Sequence, residues 1–222
     1  MGVSDDLRRH ADAIYQRIFE HPFVRGIGDG TLEVSKFRYY IEQDYLYLIE
    51  YSRVLAFATA RANDISTMSW FASLLNETLN TEMELHRSYA EQFSISRKSL
   101  EYVRPSPTTQ SYTNHLLTTA YSNGLPGIAA ALVPCQLGYS EIGQILAKRG
   151  IPKEQPLYSQ WIEMYTSPEF TRLANQLKLL VDTVAEGLGP KELAKMEEIF
   201  LISARYEYLF WDAAWRLEKW VV

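Results

Sequence analysis

Cys135 is the only cysteine in the chain and its only soft nucleophile. It lies in a nearly all-apolar stretch, LPGIAAALVPCQLGYSEIGQILAKRG (125–150), four residues before Tyr139. Residues four apart share a helix face, so the thiol and the phenol look the same way. Ile128 to Val133 is apolar on every side, the pattern of a helix buried at the centre of a protein. Pro134 removes a backbone donor just before the cysteine and opens a kink, which makes room for a small cavity. A single cysteine in an apolar helix is usually an inert packing residue. Chemistry at Cys135 therefore depends on polar groups brought by other elements.

Several such groups are present. Asp44, Tyr47 and Tyr51 stand at i, i+3 and i+7 in a stretch free of Gly and Pro (35–62), on one helix face. That stripe fits the wall of a polar cavity or a solvated face, and spacing alone leaves both open. Glu207 sits amid Tyr206, Tyr208, Phe210 and Trp211. It is either on the wet side of its helix or in an apolar pocket with a raised pKa, and the periodicity does not decide. Tyr112 comes early in a helix with Leu116 on its face, and Tyr165 shares a short helix with Trp161 and Ile162. Glu82 and His86 are one turn apart, a spacing open to metal ligation. Residue 83 is Met, however, so the Glu-x-x-His pairs of a di-iron bundle are missing here, and His115 is the only later histidine. His10 and His21, in or beside the first helix, offer an axial haem ligand but fit surface positions as well.

The elements that must position these groups read as helices. The chain has 222 residues, of which 47% are apolar, enough for one large domain with a real core. Its 15 tyrosines, against 9 Phe and 5 Trp, carry hydroxyls that need partners when buried. A net charge of −5 with scattered basic residues argues against a nucleic-acid partner. One cysteine excludes an internal disulfide framework and a Cys-based zinc site. The N-terminal stretch lacks a signal-peptide apolar core, Asp6 breaks the myristoylation pattern, and no apolar run reaches membrane-spanning length. The expected location is the cytoplasm, with no membrane partner.

Ser4 is the expected cap of a first helix bearing Leu7, Ala11, Ile14 and Ile18, which ends at Pro22 in a GIGDG loop. Helices follow over 35–62 and over 65–93, the latter with Trp70, Phe71, Leu74, Leu75, Leu79 and Leu85 as its apolar side. A short helix or turn is expected over 96–104. Ser106-Pro107 starts a further helix, Leu125-Pro126 and Gly150 bound the central one, and a short helix covers 158–166. Ser167-Pro168 starts the next helix, and a last one runs over 190–219 with Ile199, Ile202, Tyr206 and Leu209 as its apolar face. No strand run, repeat or phosphate-binding glycine motif is present. The expectation is a single all-α domain over 1–222, of seven or eight helices.

The joint order and spacing of the Asp44–Tyr47–Tyr51 stripe, Tyr112, Cys135 with Tyr139, Tyr165, and Glu207 followed by Tyr-Leu-Phe-Trp resembles the TenA family. These are the thiaminase II or aminopyrimidine aminohydrolase proteins of the haem-oxygenase-like fold. The resemblance covers nearly the whole chain, and Cys135 aligns it with the cysteine-containing branch. It implies a thiamin-salvage hydrolase that converts 4-amino-5-aminomethyl-2-methylpyrimidine to the 5-hydroxymethyl pyrimidine and ammonia, and that also cleaves thiamin. In that reading Cys135 is the nucleophile and Glu207 the proton donor. Asp44 binds the amidine-like edge, Tyr139 and Tyr165 hydrogen-bond the substrate, and Tyr112 walls the ring. Tyr47 tunes the cysteine, and Tyr51 shares its stripe. These groups should surround a slot sized for a flat six-membered ring. No metal or organic cofactor is implied, and the family commonly forms homotetramers. The rival readings are a haem or di-iron oxygenase-like protein on the same fold, which would use His10 or His21, and a non-catalytic pyrimidine-binding regulator.

Overall fold

The computed structural model describes residues 2–93 and 95–222. Helix α1 (Val3–His10) starts from an extended Gly2, and Ser4 lies inside it rather than capping it. Ser4 is buried, and its backbone N–H and hydroxyl donate to the Asp182 carboxylate at 2.7 and 3.1 Å. A carboxylate from a distant helix thus caps this N-terminus and meets its partial positive charge. A break at Ala11 separates α2 (Asp12–Phe19) from α1.

The stretch expected as a loop is helical: α3 spans Pro22–Asp29 and ends on Gly30 with φ 70°. His21 Nδ1 caps it by accepting from the Phe23 N–H at 3.2 Å. Burial of Phe23, Val24 and Ile27 outweighs the poor helix propensity of its glycines. Gly26 is needed where it stands, because a Cβ there would lie 3.1 Å from the Leu32 backbone.

Helix α4 (Val34–Arg61) carries Asp44, Tyr47 and Tyr51, all buried. The expected helix over 65–93 is interrupted. Helix α5 (Ile65–Glu77) passes through a π turn (Thr78–Glu82) into α6 (Met83–Gln92). The wider π turn shifts the register, so the buried stripe runs Phe71, Leu74, Thr78, then Met83, His86, Tyr89 and Ala90. Leu79, expected on the apolar side, is 44% exposed.

A short α7 (Arg97–Leu100) precedes α8 (Pro107–Ser122), whose N-terminus is capped by the Ser106 hydroxyl. Helix α9 (Leu125–Arg149) is buried along most of its length and packs against α3, α4, α8, α10, α11 and α12. Helices α10 (Pro156–Tyr165) and α11 (Pro168–Ala185) follow, the second capped by the Ser167 hydroxyl. Helix α12 (Pro190–Arg216) packs on α9 and also touches α2, α3, α4 and α8.

The buried face of α12 keeps Ile199 from the expected set but otherwise differs from it. Phe200, Ala204, Glu207, Trp211 and Ala214 are buried at spacings of four and three, whereas Leu209 is 39% exposed. Glu207 is therefore on the core side. The protein is all-α, with no strand among the described residues. It has more helical segments than the expected seven or eight, because α1–α2 and α5–α6 are each split and α3 replaces a loop. The buried apolar side chains form one continuous cluster around α9.

One close approach fixes the geometry on which Tyr165 depends. A Cβ at Gly143 in α9 would meet the Tyr165 backbone carbonyl and Cβ at 3.0 Å. In an unstrained helix Gly→Ala stabilises by about 1 kcal/mol. Here overpacking reverses the sign, and Gly143→Ala should cost about 1–3 kcal/mol in urea denaturation. An unchanged or higher midpoint would show that α10 yields freely.

Candidate active site

Asp44 anchors the site. Its Oδ2 lies 2.6 Å from His86 Nε2 and also accepts from the Tyr40 hydroxyl at 3.3 Å. Tyr40 in turn accepts from Trp161 Nε1 at 3.2 Å. His86 Nδ1 donates to the Glu82 backbone carbonyl at 3.0 Å, so that nitrogen carries a proton. A neutral imidazole would then present a lone pair at Nε2 to a carboxylate that also only accepts. The 2.6 Å contact therefore holds a second proton between the two groups. Burial works against a charged imidazole, but the hydrogen bond and charge of Asp44 outweigh it and raise the His86 pKa. Oδ1 of Asp44 takes no hydrogen bond from the described residues and is left to the cavity that Asp44 lines.

That cavity is a narrow slot lined by Asp44, Tyr47, Tyr51, Cys135, Tyr139 and Tyr165, with Leu48, Glu82, Gln136 and Phe170 completing its wall. Tyr139 and Tyr165 pack with ring centroids 4.8 Å apart, and Tyr47 and Tyr51 stack at 5.8 Å. The hydroxyls of Tyr47 and Tyr51 are buried and have no hydrogen-bond partner. Buried hydroxyls are normally satisfied, so two orphans facing one slot mark a place where a polar ligand or water belongs. The slot is smaller than expected. Its volume is about 10 Å³, room for one water rather than for a flat ring. The side chains close on one another, and a ring-sized ligand has to part them.

Glu207 and Tyr112 are not on this lining. They pair instead, with the Tyr112 hydroxyl donating to Glu207 Oε1 at 2.5 Å. The Tyr112 ring lies 5.1 Å from that of Tyr47, which joins the pair to the slot from behind. Burial raises the Glu207 carboxyl to about 8, against the lowering effect of the Tyr112 hydrogen bond and with help from the Asp44 charge. Burial also pushes the Cys135 thiol well up, and the Glu207 charge adds to it, while Tyr47 works in the opposite sense. Thiol and acid are thus both held in their neutral forms at neutral pH.

Two groups at the slot escaped sequence reasoning as parts of this site. In the sequence His86 and Glu82 offer only a metal-ligand spacing. His86 is instead engaged by Asp44 and the Glu82 carbonyl, and the Glu82 carboxyl lines the slot. The signal that could have found them is a π turn, which hydrophobic periodicity does not report. For Glu207 the signal was present in the four–three spacing of Phe200, Ala204, Glu207, Trp211 and Ala214. Among the described residues no cluster of three or more His, Cys, Asp or Glu is arranged to hold a metal. Of the histidines a haem reading would use, His10 faces Glu197 at the surface and His21 caps α3, and neither lines the slot. No helix is long and apolar enough to cross a membrane.

Comparison with known proteins gives a consistent result. An aminopyrimidine aminohydrolase of Halalkalibacterium halodurans is 46% identical over 222 residues, covering 99% of this chain and 98% of that protein. A solved TenA homologue from P. horikoshii superposes with a TM-score of 0.89 at 28% identity, covering 97% of this chain and 99% of that one. A Shewanella denitrificans domain with a heme oxygenase-like fold superposes at 0.73 with 13% identity over 96% of this chain and 90% of that one, a likeness of fold alone. The profile of the TENA/THI-4/PQQC family matches residues 8–217, and the chain belongs to that family.

Proposed function

We propose that the chain is an aminopyrimidine aminohydrolase of thiamin salvage. It would hydrolyse 4-amino-5-aminomethyl-2-methylpyrimidine to the 5-hydroxymethyl pyrimidine and ammonia, and cleave thiamin at the corresponding methylene. The observation that carries this reading is the meeting of Cys135 with Asp44 and the unpartnered hydroxyls of Tyr47 and Tyr51 at one enclosed slot. The kinship with aminopyrimidine aminohydrolases supports the substrate class.

In this reading the free Oδ1 of Asp44 accepts from the amino group on one edge of the pyrimidine, and it accepts from the neighbouring ring nitrogen only when that nitrogen carries a proton. His86 and Tyr40, bound to Oδ2, hold the carboxylate in orientation. The sulfur of Cys135 adds to an electron-poor ring carbon, and a ring nitrogen gains a proton. Glu207 gives that proton and takes the one leaving the thiol, so no net charge is created in a dry site. The electron-rich dihydro ring then expels the group on the exocyclic methylene, and the C–N bond pair leaves with nitrogen. Water adds to the methylene, the C–S bond breaks, and the ring regains aromaticity as the sulfur recovers its proton. Tyr139 and Tyr165 hydrogen-bond the substrate, and Tyr112 holds Glu207. The raised thiol pKa suits this scheme, because the thiolate arises only as the proton is transferred.

Two results check the assignment. Cys135→Ser should abolish ammonia release from the aminomethyl pyrimidine while the far-UV circular dichroism stays helical, and turnover near the wild-type rate would overturn the nucleophile. Glu207 acts in its protonated form, so wild-type turnover should fall as pH rises through about 8. Glu207→Gln should lose about 10²-fold or more in rate, and its residual activity should no longer show that alkaline limb. A limb that persists unchanged would assign it to another group.

A further inference from the structure

Glu82 is the one carboxyl on the slot lining that the scheme above leaves unused. It ends the π turn and lines the inner slot together with a vestibule of about 750 Å³ outside it. Gln136 and Phe170 are the other residues shared by the two spaces. Asp44, Tyr47, Tyr51, Tyr139 and Tyr165 are all at least 95% buried, whereas Glu82, Cys135 and Phe170 are half-buried, and of these three Glu82 and Phe170 also line the vestibule. The Glu82 carboxylate has no hydrogen-bond or ion-pair partner among the described residues, whereas Asp44 and Glu207 are engaged by His86 and Tyr112. The Tyr51 hydroxyl on the same lining is buried and unpartnered; burial raises its pKa, and the charges of Cys135 and Glu82 add to that. Burial lifts Glu82 itself to about 7, with His86 opposing and Asp44 assisting. The vestibule rim adds Glu77 and Glu169 against Arg172, with Glu84 paired to Arg87, so its balance is acidic and favours cations.

We propose that Glu82 is a catalytic residue that binds the exocyclic ammonium of the substrate at the mouth of the slot and then takes the proton of the attacking water. This rests on the aminopyrimidine aminohydrolase reading. A primary alkylamine is protonated at neutral pH, so it enters as –CH2–NH3⁺ and pairs with the Glu82 carboxylate. When the C–N bond breaks, its electron pair leaves with nitrogen as neutral ammonia. Water held between Glu82 and the Tyr51 hydroxyl occupies the vacated position. As its oxygen bonds to the methylene, its proton passes to Glu82 and from there to the solvent of the vestibule, where the ammonia that has already left takes up one. The sum is R–CH2–NH3⁺ + H2O → R–CH2–OH + NH4⁺, and Glu82 ends as it began.

Rapid-quench measurement of ammonia on wild type, Glu82→Gln and Cys135→Ser tests this. Glu82→Gln should raise KM for the aminomethyl pyrimidine. At saturation it should release about one ammonia per site in a fast burst, because C–N cleavage precedes the water step. Its steady-state rate should then be about 10²-fold below wild type, and formate should restore part of the turnover of Glu82→Ala. Steady-state turnover of Glu82→Gln within twofold of wild type would overturn the proposal. So would a slow variant with no burst, which would move Glu82 to a step before C–N cleavage. Cys135→Ser reports separately on the underlying reading. If it still turns over, that reading fails whatever Glu82 does, and if it is inert while Glu82→Gln behaves as wild type, only the role of Glu82 falls.

Discussion

Three carboxyls, Asp44, Glu82 and Glu207, and one thiol are gathered in the helical core, and the only cation among them is His86. Unpaired charge in such surroundings is expensive, so the site has to keep protons rather than shed them. The hydrogen bond between Asp44 and His86 accounts for one carboxylate. The other two carboxyls respond by moving up, Glu82 to about 7 and Glu207 to about 8, and the thiol rises with them. The resting site is thus close to neutral yet stocked with transferable protons. That state suits an addition in which sulfur must lose a proton while a ring nitrogen gains one.

The fold maintains this arrangement by dividing the work among helices. Helix α9 brings the sulfur to the slot, and α4 lines the same slot with the Asp44 carboxylate and two phenols. Helix α12 holds its acid against Tyr112, whose ring packs on Tyr47 of the slot, and the π turn between α5 and α6 turns one more carboxyl and the histidine inward. Ring packing of Tyr139, Tyr165, Trp161 and Trp211 closes the remaining side. At rest these walls leave room for about one water. Closure of that kind keeps bulk water from quenching a reactive intermediate, and it makes admission of the ring part of binding. The half-buried Glu82 and Phe170 border the side on which the slot meets the vestibule.

Local signals recovered most of the architecture. Pro126 and Gly150 bound α9 in the sequence as they do in the structure, and Ser106 and Ser167 cap the helices that their types predict, because caps are local chemistry. The Asp44–Tyr47–Tyr51 stripe was legible as a shared face, though its burial was not, since a polar stripe reads alike in water and in a cavity. Glu207 was hidden by its aromatic neighbours: Tyr206 and Leu209 suggested one apolar face, while small Ala204 and Ala214 marked the true one. The glycines of α3 read as a loop because their propensity is local, whereas burial of Phe23 and Ile27 is tertiary. His86 and Glu82 turn inward only because one π turn adds a residue to the register. The slot's width depends on side-chain packing, to which spacing is blind.

The protonation of Glu207 in the resting site, at a pH where Glu82 is already ionising, is the claim on which the addition step depends. Infrared titration of the unliganded protein carrying ¹³C-carboxyl glutamate reads it directly. The account predicts carboxylic C=O bands that persist at neutral pH and bleach in two steps, near 7 and near 8, with the later one absent from Glu207→Gln. Glutamate signals that are wholly carboxylate by pH 6 would contradict it, because a site already stripped of its protons has none to give the ring.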